Sequence, residues 1–409
     1  MSNRKFSRTN INPKYRSNNF QIDSIRTSNY FGNRSDGDVV ITTNTNFVVP
    51  NKNGSYDGDY VVKQYSSLTI NEGVTVTTDQ PCKGMFIYVD GDCTINGTLS
   101  MRSRGASCNP DSVTSGLIYP VIAASGSYSS SLTSANFNGC GSEIVSAVSQ
   151  QSNLSGNVVA VRIPSRTKNT GGEKIYITTF SSGGHQTGNA GGNGSATISS
   201  SILNVRLGGG GGGGAYYDSN SCGNSKSGAS GRGGDATCFS GGTGGGGKMS
   251  GRREAETQGY DGSDNGGAGG DGGNGHCGGV HSVTGGVGNP GGWDQYGSPT
   301  QSGYNNNTFR ADSGTGGVIW LVVRGNLTIG ASGVIDIRGT DNTNYNGSRS
   351  NGSVYGAGGA SGGGAAILLH KGIYTAAGNI LTSGGTCWAS GLGPGGAGGA
   401  GVATTLQIA

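Results

Sequence analysis

Glycine accounts for 85 of the 409 residues, and much of it is arranged in triplets of the form Gly-Gly-X. The stretches 266–275, 285–293 and 395–401 all show this register. A period of three residues matches neither an α-helix nor a β-strand, but it matches polyproline II, a left-handed helix with three residues per turn. A flexible linker has no need of this register. We therefore interpret the glycine tracts as architecture, with a disordered linker as the alternative.

An isolated polyproline II segment has no internal hydrogen bonds, so its buried N–H and C=O groups need partners elsewhere. Segments without side chains can approach closely enough to bond backbone to backbone. Ordering glycine costs more conformational entropy than ordering any other residue. We therefore expect several tracts to pack together, with residues such as Ala268, Asp271 and Asn274 on an edge that faces solvent or a neighbouring layer. Collagen is excluded because the third-position rule fails and only nine residues are proline.

The overall composition limits the hydrophobic core that this chain can build. Only 32% of the residues are hydrophobic and 12% are charged, and the net charge is +4. Both fractions are low for a globular protein, but the high net charge of a disordered chain is absent. The eight cysteines include no CxxC pair, so we expect reduced thiols that serve as small buried residues.

Four apolar segments share one pattern, in which a short strand is followed by a turn and a second short strand. Within them, the units LTINEGVTV, CTINGTLSM and LTIGASGVIDI align closely, and IYTAAGNIL is a more distant copy. Val, Ile, Leu, Thr and aromatic residues favour strands here, and Gly or Asn-Gly marks the turns. The segments are 60–78, 85–104, 318–338 and 365–383.

A repeated unit that cannot bury its own apolar face is typical of a solenoid. The sequence thus predicts an all-β fold of β-helix-like solenoid coils with glycine-rich polyglycine II excursions, and a β-sandwich of unrelated strands is the alternative. No segment has the periodicity of an amphipathic helix. We expect a basic N-terminal arm (1–34), N-terminal β-coils (35–105), a strand-containing insertion (106–206), a polyglycine II region (207–316) and C-terminal β-coils with glycine tracts (317–409).

Taken together, the glycine tracts and the apolar strands resemble known virus proteins. Glycine tracts separated by short variable loops resemble the tip adhesins of bacteriophage tail fibres. The segments 316–339 and 356–385 resemble glycine-rich β-helical parts of phage tail and other virion proteins. The resemblance implies a virion location, assembly in the host cytoplasm, a host-attachment role and, by analogy with fibres, a possible homotrimer. One departure is that apolar strands flank the glycine region on both sides.

Aromatic residues occur in the polar segments between the glycine tracts. Exposed aromatic side chains bury much area with little loss of rotamer freedom, so they suit contacts with a glycan or a protein on a host surface. The alternative is that they cover bare glycine backbone. The candidate receptor-binding residues are Tyr216, Tyr217, Trp293, Tyr296, Tyr304, Phe309, Tyr345 and Trp388.

The N-terminal segment 1–34 is polar and basic, with Asp23 as its one acidic residue. We interpret it as an arm that docks on other virion proteins. Nucleic-acid binding is not expected, because no aromatic platform or recognised nucleic-acid motif follows. The segment lacks the apolar stretch of a secretion signal, and no window approaches a membrane span. The candidate anchoring residues are Arg4, Lys5, Arg8, Lys14 and Arg16.

The sequence predicts no metal site, no cofactor and no catalytic site. His276, Cys277 and His281 lack the further ligands that zinc requires, and Asp261, Asp264 and Asp271 lack the register of a calcium loop. Glycoside hydrolysis needs a pair of carboxylates, and no pattern pairs the available ones. Those carboxylates are Asp90, Asp92, Asp336, Glu254 and Glu256.

These observations favour a virion structural protein of the tail-fibre or tailspike type, whose loops attach to a host-surface receptor. One alternative is a purely structural collar or capsid decoration protein. Another is a polysaccharide depolymerase, since many β-helical tailspikes cleave polysaccharide.

Overall fold

The computed structural model describes the chain in a series of segments, and every regular element in them is a β-strand. No helix occurs among these residues. The described residues are 31–51, 58–106, 117–123, 157–177, 185–199, 202–216, 228–249, 261, 274–277, 281–284, 314–342, 347–348, 354–355, 357–387 and 393–408.

The strands fall into three groups along the chain. Those before the long insertion are β1 (Gly37–Ile41), β2 (Thr45–Phe47), β3 (Val61–Ile70), β4 (Thr75–Thr78), β5 (Met85–Val89), β6 (Cys93–Ile95) and β7 (Thr98–Ser100).

The insertion holds short strands, most of which form small sheets of their own. They are β8 (Leu117–Ala123), β9 (Asn157–Ile163), β10 (Arg166–Thr167), β11 (Tyr176–Ile177), β12 (His185–Gln186), β13 (Ala196–Ser199), β14 (Ile202–Val205), β15 (Ala215–Tyr216), β16 (Gly228–Ala229), β17 (Ala236–Thr237), β18 (Lys248–Met249), β19 (Asn274–Cys277) and β20 (His281–Thr284).

After the insertion the longer apolar strands return. They are β21 (Val318–Val323), β22 (Leu327–Ile329), β23 (Val334–Asp336), β24 (Gly347–Ser348), β25 (Val354–Tyr355), β26 (Ala365–His370), β27 (Tyr374–Ala376), β28 (Asn379–Leu381) and β29 (Val402–Gln407).

A nine-stranded parallel sheet, here called the main sheet, dominates the fold. Its strand order is β27-β22-β6-β3-β5-β21-β26-β29, and β1 is paired with β3. A second sheet, also parallel, has the order β2-β4-β7-β23-β28. The units aligned from the sequence are neighbours in register: Leu68 and Leu327 both pair with Cys93, and Leu327 also pairs with Tyr374. The predicted alignment of the repeated units is therefore confirmed.

The predicted β-helix-like solenoid is wrong. The main sheet curls into a half-barrel instead of winding as separate coils, so the fold is mostly β with parallel sheets of the α/β kind. The physical cause lies in β3, a strand of ten residues. Its residues 61–65 pair with β5 and its residues 68–70 pair with β6. One long strand thereby joins two rows of strands into a continuous curved sheet.

The central strands of the main sheet are buried on both faces. In β21, Ile319, Leu321 and Val323 belong to the hydrophobic cluster inside the half-barrel, which also receives side chains of the second sheet. Trp320 and its alternate neighbours face a second cluster on the outer side, where the ring of Trp320 stacks on Phe86 at 5.7 Å between centroids. Continuous apolar runs are typical of parallel strands covered on both faces.

The insertion covers the outer face of the main sheet. Strands β13, β14, β9 and β8 form a four-stranded sheet in that order. Val161, Ile163, Leu203 and Val205 of this sheet are buried in the outer cluster together with Trp320. The insertion is therefore packed onto the body through an apolar contact of its own.

The glycine tracts form a packed block, here called the glycine block, with residues 208–214 at its centre. The N–H groups of Gly208 and Gly211 donate to the carbonyls of Gly363 and Ala360, at 3.0 and 2.9 Å, and the residues between them donate to other neighbours. Every third residue thus returns to the same neighbour, and in 395–401 this period coincides with the Gly-Gly-X register, since the N–H groups of Gly396 and Gly399 donate to Gly212 and Gly209. Of the other two Gly-Gly-X stretches, 285–293 and residues 266–273 lie outside the described residues, and Asn274 and Gly275 belong to β19. The central N–H groups donate to segments 188–194, 230–234 and 357–364, and the central carbonyls accept from segments 170–173, 241–247 and 393–401.

The glycine block continues directly into the main sheet. Residues 357–364 lead into β26, residues 393–401 lead into β29, and residues 314–317 lead into β21. The tracts are therefore stacked on the amino-terminal ends of these strands. They do not project from the body as excursions, which corrects the second half of the predicted fold class.

The block leaves no space for side chains at its centre. A Cβ on Gly211 would lie under 3.0 Å from the carbonyl oxygen of Gly396, closer than real Cβ contacts. We predict that Gly211→Ala lowers the free energy of unfolding by about 3 kcal/mol, the upper range for overpacking. Gly192→Ala is the matched control, because its Cβ would lie 3.0 Å from the carbonyl oxygen of Thr170.

Gly192→Ala is expected to lower the free energy of unfolding by only about 1 kcal/mol, the lower range for overpacking, because a small shift of Thr170 relieves this contact. Thermal and denaturant unfolding of both variants measure the difference. Equal stability of the two variants would contradict the packing described for the central tract.

Candidate functional site

The end of the glycine block away from the main sheet carries a group of short strand pairs, here called the rim. The central tract runs into β15 at this end, and residues 241–247 run into β18. Strand β18 lies against β19 and β20, and β20 lies against β24. The rim consists of β11 with β16, β12 with β15 and β18, β19 with β20, and β24 with β25.

Tyr216 is the predicted receptor-binding residue that belongs to a strand of the rim. It lies in β15, where its backbone pairs with His185 on one side and Met249 on the other. Tyr217 follows directly and lies outside the described residues. The backbone position of Tyr216 is thus fixed at the point where the chain leaves the glycine block.

The other predicted aromatic residues lie outside the described residues, in segments whose flanking residues are described. The segment after β20 begins at the rim and returns at Gly314, whose carbonyl accepts hydrogen bonds from the hydroxyls of Thr340 and Ser361 at 2.6 and 2.7 Å. The residues in question are Trp293, Tyr296, Tyr304 and Phe309 in that segment, Tyr345 between Asn342 and β24, and Trp388 directly after Cys387.

Asn342 and Cys387 hold the starts of two of these segments against the glycine block. Their backbones form a parallel bridge. The Asn342 Nδ2 group donates to the carbonyl of Gly359 at 3.1 Å, and the Cys387 thiol donates to that of Gly396 at 2.7 Å. Burial raises the pKa of the Cys387 thiol to about 12, so the group keeps its proton at neutral pH.

A buried carboxylate fixes the side of the glycine block. Asp235, with a side chain only 1% exposed, accepts hydrogen bonds from the backbone N–H groups of Thr170 and Gly171 at 3.0 and 3.1 Å. The same carboxylate accepts from Arg232 Nη2 at 2.8 Å and from Arg166 Nη2 at 3.2 Å. These contacts join residues on either side of the antiparallel pair β10–β17.

Two opposing effects act on the pKa of Asp235. Burial raises it, while the hydrogen bond from the Gly171 N–H, the charge of Arg232 and further donors lower it, and the net result is a pKa below the ordinary value. The folded state therefore holds Asp235 as a carboxylate whose charge is balanced by the two guanidinium groups.

Asp261 ties one further segment to the side of the block. It accepts a hydrogen bond from the backbone N–H of Arg232 at 2.7 Å and pairs with Lys174 Nζ at 3.6 Å. Asp261 is one of three aspartates that lack the register of a calcium loop, and the other two, Asp264 and Asp271, lie outside the described residues. The observed role of Asp261 is to hold the chain between β18 and β19 against the block.

Tyr176 is a rim residue that the sequence analysis missed. It lies in β11, pairs with Ala229 of β16 and is 59% exposed. Lys174 and the exposed Glu173 precede it. The sequence signal for an exposed Tyr176 was the strand-like run IYITT, in which successive side chains point to opposite sides. Ile175 packs inward against Ala215, so the side chain of Tyr176 faces outward.

The carboxylates considered for catalysis hold other groups in place. Asp92 accepts from the Asn326 N–H at 2.7 Å, and Asp336 pairs with Arg338 at 2.7 Å. Glu254 and Glu256 lie outside the described residues. For the metal candidates, the register places Cys277 opposite His281 and His276 opposite Ser282 in the β19–β20 hairpin. Within the described residues, no three His, Cys, Asp or Glu side chains form a group able to hold a metal.

The described part of the N-terminal segment is attached to the body by charge. Arg34 pairs with Asp90, whose carboxylate also accepts from Arg324 Nη1 at 3.0 Å. The candidate anchoring residues precede this contact and lie outside the described residues: Arg4, Lys5, Arg8, Lys14 and Arg16.

No protein-family model, curated protein or solved structure matches the chain. The part of the chain that the structure describes also contains no helix long and apolar enough to cross a membrane.

We predict that Asp235→Ala lowers the free energy of unfolding at pH 7 by about 3 kcal/mol, since it leaves two arginines and two backbone donors without their acceptor. Because the folded-state pKa is lowered from 3.8, the contribution of Asp235 is complete above that value and is lost as the pH falls through the folded pKa. The stability difference between wild type and variant should therefore shrink below pH 3.8.

Denaturant unfolding at a series of pH values measures this difference. Glu72→Ala is the control, because Glu72 is exposed and its replacement should change stability by less than about 0.5 kcal/mol. A difference that stays constant between pH 7 and pH 2 would show that the Asp235 carboxylate does not carry the stabilisation.

Proposed function

We propose that this protein is a virion structural protein of the tail-fibre or tailspike type that displays loops for attachment to a host-surface receptor. The observation that carries the proposal is the rim. The predicted receptor-binding residues lie in a rim strand or in segments that leave the glycine block there or close to it. A surface made of several chain segments on one hydrogen-bonded support is suited to presenting a variable binding site.

The construction of the glycine block supports display. Its backbone hydrogen bonds connect segments from 170–173 to 393–401. The sequences of the loops between these segments can therefore vary without altering the glycine block. At the other end the block is continuous with β21 and β26, whose side chains are buried, and with the more exposed strand β29. Loop sequence and body sequence are thus under different physical constraints.

Aromatic residues supply the proposed contacts with a glycan or protein on the host surface. Tyr176 joins the candidates from the sequence, because its ring is exposed in a strand of the rim. A few aromatic side chains commonly account for most of the binding free energy of an interface.

We predict that the combined replacement of Trp293, Tyr296, Tyr304 and Trp388 by alanine weakens binding of the purified protein to host cells more than tenfold. Truncating a single aromatic anchor costs about 2 kcal/mol, and about 1.4 kcal/mol corresponds to a factor of ten. Binding of fluorescently labelled protein to cells measures the effect.

The matched control replaces Val48 and Ile373 by alanine, since both are exposed apolar residues outside the rim, at 75% and 70%. The control should bind like wild type. Unchanged host adsorption by virions that carry the four aromatic replacements, with normal assembly, would favour the purely structural role instead.

The N-terminal arm is proposed to attach the protein to other virion proteins. We predict that deletion of residues 1–30 abolishes incorporation into particles and leaves the melting temperature of the body unchanged. This deletion keeps Arg34 and therefore its contact with Asp90. Immunoblotting of purified particles measures incorporation, and particles that contain the truncated protein would contradict the anchoring role.

The basic residues of the arm can be tested separately. Replacement of Arg4, Lys5, Arg8, Lys14 and Arg16 by alanine should reduce incorporation, because their positive charges are the proposed docking contacts. The control exchanges each of these arginines for lysine and each lysine for arginine, which keeps the positive charge at every position.

A further inference from the structure

Strand β29 is an edge strand of the main sheet with a regular outer side. It pairs with β26 along its whole length, from Val402 opposite Ala365 to Gln407 opposite His370, without a register shift. In the part of the chain that the structure describes, no strand pairs with its other side. Strand β13 lies near it, but as part of the four-stranded sheet on the outer face.

The hydrogen bonds show which residues of β29 point outward. The N–H of Val402 donates to the carbonyl of Gly364 at 3.0 Å, and that of Ile408 donates to His370 at 2.8 Å. Alternate residues of a parallel strand bond to the same neighbour. The backbone groups of Ala403, Thr405 and Gln407 therefore face away from β26, spaced evenly about Thr405.

The edge that β1 forms is protected in the usual ways. Strand β1 has a register shift between Gly37 and Asp38, and it carries the carboxylate of Asp38, which accepts a hydrogen bond from Ser67 Oγ of β3 at 2.9 Å. Proteins use such bulges and charges to prevent unwanted pairing of edge strands. The sequence of β29, VATTLQ, contains no charge, no proline and no bulge. This edge therefore has the properties of a strand that is paired in the assembled protein.

We propose that β29 pairs antiparallel with β29 of a second copy of this chain, about a two-fold axis at Thr405. The outward groups are symmetric about that residue, so Ala403 of one copy would face Gln407 of the other, and Thr405 would face its own counterpart. A two-fold interface requires this self-complementarity. Thr405 and Gln407 are exposed in the single chain, and a direct Thr–Thr pair across strands is favourable. The proposal does not depend on the function of the rim.

The test compares the full-length protein with two lysine variants by sedimentation equilibrium. Wild type is expected to form a dimer in a concentration-dependent way. Thr405→Lys places like charges directly opposite each other, so the dimer dissociation constant should rise at least about tenfold. Thr375→Lys is the matched control, because Thr375 is an exposed strand residue of β27, and its dissociation constant should equal that of wild type.

Hydrogen exchange supplies a second measurement that needs no mutation. Peptides containing residues 403–407 should exchange slowly above the dissociation constant and lose that protection on dilution, while peptides from β21 should not change. A monomer at all concentrations, a trimer, or equal dissociation constants for Thr405→Lys and wild type would each overturn the proposal.

Discussion

The structure depends on one constraint: an extended glycine segment cannot satisfy its own backbone hydrogen bonds. The central tract, 208–214, donates to three neighbouring segments and accepts from three others. Leaving such groups unpaired inside a protein is costly, and ordering glycine adds a large entropic cost. Many neighbours must therefore be present at once, and for this reason segments as distant as 170–173 and 393–401 converge on the same block.

The block also determines how the rest of the chain is arranged. Three tracts end where β21, β26 and β29 begin, so the packing of the glycine segments aligns the strands of the main sheet. Strands β21 and β26 then bury side chains on both faces, inside the half-barrel and beneath the insertion. At the other end the central tract and residues 241–247 run into the rim strands β15 and β18. A chain with few hydrophobic residues thus gains order from backbone hydrogen bonds as well as from its apolar core.

Much of this could be predicted from the residues. The Gly-Gly-X register of 395–401 indicated the backbone contacts with a period of three that are observed there, and the Thr-Ile units gave the correct pairing of Leu68, Cys93 and Leu327. The half-barrel could not be predicted, because nothing local shows that β3 bridges two rows of strands. The unbroken apolar run VIWLVV of β21 also indicated a strand that is buried on both faces. A pattern of alternating apolar and polar residues cannot show this, because it marks a strand with one buried face. The role of Asp235 rests on Arg166, which is 69 residues away, and no motif links them.

The most direct test of this account is amide hydrogen exchange across residues 208–214. If the tract is the hydrogen-bonded centre of the block, its amides should exchange as slowly as those of β21 and lose protection with global unfolding. Exchange at the rate of an unstructured glycine peptide, while β21 stays protected, would contradict the account, since the block would then not hold the rim in place.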